Sequence, residues 1–168
     1  MSTLGAKLKN IIIADPYNDK HLTMFENYEE KNKIDAIASN FLKKQKDILT
    51  KDEYQKLQKK ANEISQIIFI EENDEIKDYC QIQGEKDRKS CHLLLAPINE
   101  SIKKRNILQL TTEYAFEILG MNDIFLSTSD EKDANTLLID GFTNLGENDG
   151  TIVYLKEKEV EERLSKAI

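Results

Sequence analysis

The sequence has no tryptophan, two cysteines, two histidines, two prolines and six glycines in 168 residues. Each scarcity closes off a class of protein. Cys80 and Cys91 cannot build a disulfide framework, and their spacing is not the C-x-x-C of a zinc site. His21 and His92 stand far apart without ligand spacing around them, so no metal site is expected. Neither a Walker loop nor G-x-G-x-x-G occurs. No serine sits in a G-x-S-x-G elbow, which leaves triad hydrolysis unsupported. With so little Pro and Gly there is no linker, and no repeat or low-complexity tract divides the chain. Its length suits one domain.

Long apolar runs are also missing. Met1 to Asp15 contains only Ile11, Ile12 and Ile13 as a run, too short for a signal peptide, and no segment nears the roughly 20 apolar residues that span a bilayer. The expectation is a cytoplasmic protein with no membrane partner. Basic excess is absent too: the formal net charge is -7, which argues against nucleic acid as a partner. What is present is 39% hydrophobic and 33% charged residues, enough for a core under a heavily solvated surface. If Gly84 to Asp87 closes a hairpin on a two-residue loop at Glu85-Lys86, Cys80 falls opposite Cys91, and a reducing compartment keeps both as buried thiols.

Leu8 to Ala14 is a β-branched run stopped by Asp15-Pro16 and reads as a strand. Two or three amphipathic helices follow. Ile34, Ile37, Ala38, Phe41 and Leu42 recur at helical spacing. Thr50 and Glu53 form a capping box before the stripe Tyr54, Leu57, Ala61 and Ile64. Gln66 to Ile70, Ile76 to Gln83 and Cys91 to Ala96 read as an antiparallel meander, since their connections are too short for parallel crossovers. His92 to Ala96 is apolar after its histidine, the mark of a strand covered on both faces. Ile107 to Leu119 is a helix with Ile107, Leu110, Thr111, Tyr114, Ala115 and Ile118 on one face and Gly120 as its stop. Then come a strand at Ile124 to Leu126, a short helix at Lys132 to Ile139 ended by Gly141, and strands Phe142 to Leu145 and Thr151 to Leu155. Asn148-Asp149-Gly150 turns between the last two. Glu157 to Ala167 reads as a charged terminal helix.

One segment carries chemistry. Asn106 and Gln109 look like an N-cap and its N3 partner, which starts the long helix just after Arg105. Lys103, Lys104 and Arg105 then crowd the positive end of a helix dipole, unfavourable by roughly 0.3–1 kcal/mol each. An anion bound there reverses the sign, because backbone N–H groups and cations act together on a phosphate. A solvated loop in a Lys-rich chain fits the same residues.

The order of strand, basic loop, long helix, strand, short helix ending in Gly141-Phe142 and final hairpin resembles the GNAT superfamily of acetyl-CoA-dependent N-acyltransferases. So does the ending Thr151 to Lys156. Aligned back from Leu119-Gly120, Pro97 falls on a proline common in that family's pyrophosphate loop. Glu100, Lys103 and Arg105 fall on the Q/R, G and G/A of its Q/R-x-x-G-x-G/A pattern. Residues 66 to 157 carry the resemblance, and the first 65 share its element order.

The resemblance implies an α/β fold: a GNAT-like mixed, mostly antiparallel sheet flanked by helices on both faces. It places one such domain over residues 1–157, with 158–168 as a charged C-terminal helix or tail. It also implies acetyl-CoA as co-substrate and an amine as acceptor, in a monomer or homodimer. Leu93 and Leu95 would offer main chain to the pantetheine arm. Lys103, Lys104, Arg105 and Asn106 would face the phosphates.

The sequence departs from the pattern in two places. Long cations replace both loop glycines, and Leu137 or Leu138 stands where many members carry the Tyr that protonates the departing thiolate. Ser129 and Tyr154 are the other hydroxyls near in sequence. His92 is the candidate base, although a lone strand histidine also serves structure; Glu71 and Glu72 could act through water. Two other readings stay open: a catalytically inactive GNAT-like module that binds acyl-CoA or a protein, and an unrelated α/β domain whose basic loop meets an acidic partner.

Overall fold

A computed structural model describes residues 11–95, 101–128 and 131–158, the side chains of 101–105, 131–133 and 136 excepted. Pro97, Glu100, Ser129 and residues 159–168 lie outside the described residues, and Glu157, where a terminal helix was expected to begin, ends the last strand instead. In chain order the elements are β1 (Ile11–Ile13), α1 (Asp19–Asn32), α2 (Ile37–Ile48), α3 (Lys51–Lys60), β2 (Glu63–Glu72), β3 (Glu75–Glu85) and β4 (Ser90–Leu95). They continue with α4 (Ser101–Glu117), β5 (Asp123–Thr128), α5 (Glu131–Ile139), β6 (Thr143–Asn148) and β7 (Thr151–Glu157). The strands form one sheet of seven in the order β1-β2-β3-β4-β5-β7-β6. Every neighbouring pair is antiparallel except β4 with β5, the pair whose connection contains a full helix, as a parallel crossover requires.

Local chemistry accounts for the tight turns. Asn73 and Asp74 both adopt positive φ (54° and 62°), as do Asp149 and Gly150 (52° and 80°), the geometry of two-residue hairpin loops. The β3–β4 turn is longer than the sequence suggested. Glu85 pairs with Ser90, so Gly84 faces Cys91, and Cys80 faces Leu95 rather than Cys91. The loop is hooked to the end of α3: Lys86 N–H donates to Asn62 O at 2.8 Å, and Asn62 and Asp87 exchange two more bonds. Gly84 is required there, since a Cβ would lie 2.5 Å from Ser90 O and 2.6 Å from Cys91 Cβ. Both cysteines are free and buried, and burial pushes their thiols up to about 12.

Residues of alternate parity build two cores. One lies between the sheet and α4 and α5 and includes Ile68, Cys80, Ile82, Leu93, Ile107, Leu126 and Tyr154. The other lies under α1 and α2 and includes Phe25, Leu42, Ile67, Phe69 and Tyr79. The buried Glu29 joins those two helices, its Oε2 accepting the N–H groups of Ala38 and Ser39 at the start of α2. The Thr50–Glu53 capping box forms as expected, but α3 buries no residue: Leu57 is 48% exposed and Tyr54 packs on the Tyr17 ring.

Helix α4 starts at Ser101, five residues earlier than its apparent cap. Asn106 is exposed within the helix, and Gln109 Nε2 donates to Asp140 Oδ1, tying α4 to the end of α5. No Gly or Pro between Ser101 and Glu117 stops the helix from running back that far. Ile118 lies beyond the last helical turn and is 61% exposed, so it does not share the buried face. Gly120 (φ 72°) ends the helix, with Met121 N–H reaching Ala115 O.

Candidate functional site

The parallel pair at the centre of the sheet separates before its strands end. Ser90, Cys91, His92 and Leu93 stand in register with Asp123, Ile124, Phe125 and Leu126, and there the pairing stops. Both strands run two residues further. Leu94 and Leu95 stay bonded outward to β3, while Ser127 and Thr128 stay bonded outward to β7. The result is a V-shaped gap in the middle of a sheet. Backbone groups inside a sheet normally find ladder partners, and a strand edge without a neighbour is a template for an extended ligand. Helix α4 is the next element after β4, and the backbone of residues 101–105 forms its N-terminal turns; Asn106, just after them, lines a cavity with Ile70, Glu71, Glu72 and Lys77 beside β2 and β3. Lys103, Lys104 and Arg105 are thus inside the helix start rather than in a loop before it, and Asn106 follows them on an exposed position.

The two faces of the gap differ. Cys91 and Leu93, with Ile124, Leu126 and Tyr154, are buried under α4 and α5. The opposite face is bare where the sequence suggested cover on both sides: His92 is exposed and Leu94 is 47% exposed. Phe125, Val153 and Leu155 are half-buried beside them. The His92 and Phe125 rings stack at 5.3 Å and 24° across the last rungs before the gap.

Of the residues singled out from the sequence, the fold brings His92, Leu93 and Leu95 to the gap. Leu93 sits at its apex and Leu95 beyond it on one arm. Glu71 and Glu72 lie at the end of β2, two strands away, where Glu71 approaches Lys20 at 3.7 Å and Glu72 approaches Lys77 at 3.4 Å. Tyr154 is fully buried on the helix-covered face. Leu137 is also buried and Leu138 is 53% exposed. Phe125 and Ser127, which share the bare face with His92 and Leu94, were not singled out. Their signal was alternation along β5, which places every second residue on one face. Among the described residues no group of His, Cys, Asp or Glu could hold a metal ion, and no helix is long and apolar enough to cross a membrane.

No family model and no curated protein matches the sequence. Solved structures do match. The N-acetyltransferase PseH of Campylobacter jejuni, in complex with acetyl coenzyme A, is 15% identical with a TM-score of 0.59, over 89% of this chain and 99% of its own. The ribosomal-protein-S5-alanine acetyltransferase of Vibrio fischeri is 15% identical with a TM-score of 0.65, over 89% and 93%. The spermidine N-acetyltransferase SpeG of Vibrio cholerae, as a point mutant, is 14% identical with a TM-score of 0.59, over 94% and 99%. This chain has the fold of the GNAT N-acetyltransferases.

Proposed function

We propose that the protein transfers an acetyl group from acetyl-CoA to a primary amine. The observation that carries this reading is the β4–β5 gap, with three successive cations in the first turns of the helix that follows β4 in the chain. The pantetheine arm would lie in the gap as an extra strand against the main chain of Leu93 and Leu95. The pyrophosphate would meet the first N–H groups of α4 together with Lys103, Lys104, Arg105 and Asn106. Bound phosphate turns an unfavourable cluster at a positive dipole end into a favourable one. Charge there does the work that close backbone approach over glycine does in the usual loop.

In the reaction the neutral amine attacks the thioester carbonyl. The N–C bond forms, the C–S bond breaks with its electron pair going to sulfur, and the proton given up by the attacking nitrogen ends on that sulfur, so that an amide and a thiol result. The protein's contribution is alignment of amine and thioester, with main-chain donors polarising the carbonyl. His92 is the candidate to receive the ammonium proton, since its ring stands on the bare face one residue pair below Leu94. Residues 1–157 would act as one domain. A second reading, an inactive module that binds acyl-CoA or a protein, is favoured by the apolar Leu137 and Leu138 on α5 and by the missing loop glycines.

Calorimetric titration with acetyl-CoA tests the proposal. Roughly micromolar binding is expected, weakened at least about tenfold when Lys103, Lys104 and Arg105 are all changed to Ala, because charge-assisted bonds to phosphate are lost. No binding at millimolar acetyl-CoA would sink both the enzyme and the acyl-CoA module.

A further inference from the structure

Helix α2 is apolar on two sides. One side buries Ala38 and Leu42 in the second core. The other, about a third of a turn away, is the stripe Ile37, Phe41, Lys44 and Ile48. These four stand at i, i+4, i+7 and i+11, the spacing with which one helix packs along another. A helix that docks once on a core needs a single apolar stripe, its other face being polar. Here Ile37 is 62% and Ile48 66% exposed, Phe41 is half-buried and Lys44 is exposed. The neighbouring cations are already engaged by α1: Lys43 reaches Glu26 at 3.4 Å, and Lys46 reaches Asp19 at 3.1 Å. Lys44 has no ion pair among the described residues. Helix α1 thus flanks α2 on one side and leaves the stripe open.

The order of residues within the stripe selects its occupant. We infer that α2 pairs antiparallel with α2 of a second copy of the chain, whatever reaction the protein performs. Pairing centred between Leu42 and Lys43 sets Ile37 on Ile48 of the second copy and Phe41 on its Lys44. The two-fold axis repeats both contacts, as an isologous interface requires. Every member of the stripe then meets its complement: isoleucine on isoleucine, and an unpaired ammonium on an aromatic ring. Parallel pairing would set Lys44 against Lys44, and a purely apolar partner would bury that ammonium without compensation. The twelve residues of α2 span about 18 Å, less than a standard interface supplies, so the dimer should dissociate at roughly tens of micromolar.

Sedimentation velocity of the full chain, at concentrations from about a tenth of that value to about ten times it, tests the pairing. A concentration-dependent dimer is expected. Ile48→Glu buries a carboxylate against Ile37 and should weaken the dimer at least about tenfold. Leu145→Glu, on the exposed strand β6, should leave it unchanged. Both side chains are more than half exposed, so neither change should shift the melting temperature. Cross-linking reads the direction of pairing, because Cys80 and Cys91 are buried and do not compete. Oxidation of an Ile37→Cys, Ile48→Cys double variant with diamide should give covalent dimers. Neither single variant should cross-link, since each position lies about 16 Å along the axis from its own copy, beyond disulfide reach. A chain that stays monomeric at every concentration overturns the pairing. So does a dimer that Ile48→Glu leaves intact, or a covalent dimer of either single variant.

Discussion

The two halves of the sheet use the same apolar residue types to opposite ends. In β2, Ile68 and Phe69 are adjacent and point to opposite faces, and both are 0% exposed because helices cover that half on both sides. In β4, Leu93 and Leu94 are adjacent in the same way, yet Leu93 is 1% exposed and Leu94 is 47% exposed. The covered half is where burial stabilises the chain. The half beside the gap keeps one face uncovered, and the backbone there also leaves its ladder unfinished. Where the sheet parts, side chains on one face and the inner strand edges lack the cover that β2 has, so that half must be anchored from elsewhere.

The sharpest way to break this comparison is to truncate one side chain from each half. Phe69 makes edge-on contacts with Phe25 (5.3 Å) and His21 (5.1 Å) inside the second core. Phe69→Ala should lower the unfolding free energy by about 3–5 kcal/mol, the usual cost of removing a buried aromatic ring. Leu94→Ala should cost under about 1 kcal/mol, since much of that side chain is already in water. Urea denaturation of both variants checks the pair. A Leu94 cost comparable to that of Phe69 would mean that the bare face is covered in solution, and the contrast between the halves would fail.

A smaller effect is expected in α3, which belongs to the covered half by position but buries no residue. Its integrity rests on its ends. Thr50 Oγ1 accepts Glu53 N–H at 3.2 Å, Glu53 Oε1 accepts Thr50 N–H at 3.1 Å, and the Asn62–Asp87 hook follows its last turn. Thr50→Ala should cost about 1 kcal/mol. Hydrogen exchange should show the loss confined to residues 51–60, because little packing couples the helix to the core. Faster exchange across β2 and β3 as well would show that α3 is part of the cooperative unit.

How legible these features were in the sequence follows from whether their causes are local. The Asn73-Asp74 and Asp149-Gly150 turns, the Thr50 cap and the Gly120 stop could be read because each depends on a few neighbouring residues. The start of α4 could not. Asn106 and Gln109 have the right spacing for a cap, but Gln109 is engaged by Asp140, 31 positions away. The Cys80 register was missed because the hook from Asn62 sets the loop length from a distant helix end. Most telling for the site, His92 to Ala96 reads as doubly covered because apolar runs usually are. Nothing in those residues states that Leu94 will be left 47% exposed. The stripe Tyr54, Leu57, Ala61 and Ile64 errs in a related way: the helix ends at Lys60 and buries none of its residues, while Ile64 is buried as part of β2.

The smallest predicted effect concerns His21, in the covered half. Its Nδ1 accepts the Asp15 N–H at 3.0 Å, and its ring packs edge-on against Phe69. Burial holds the imidazole below its ordinary 6.5; Asp15 and Glu71 pull the other way, and Lys20 adds to the lowering. The folded chain therefore prefers the neutral ring, while the unfolded chain takes up a proton near 6.5. Folding releases that proton, so the His21 contribution is fully present above 6.5. It declines as pH falls from there to the lower folded value and changes no further below that. Protonation would also end the bond from Asp15, since an imidazolium has no acceptor nitrogen. Urea midpoints taken above and below 6.5 should show this decline in the unaltered protein. His21→Gln keeps an acceptor near Asp15 but cannot titrate, and should flatten the curve in that window. The fall at lower pH should remain, because Glu53, Asp74 and Asp87 are held below their ordinary values by hydrogen bonds from Thr50, Lys20 and Asn62 respectively. A His21→Gln curve as steep as the original near 6.5 would place the proton uptake elsewhere and remove His21 from the account of how the covered half holds together.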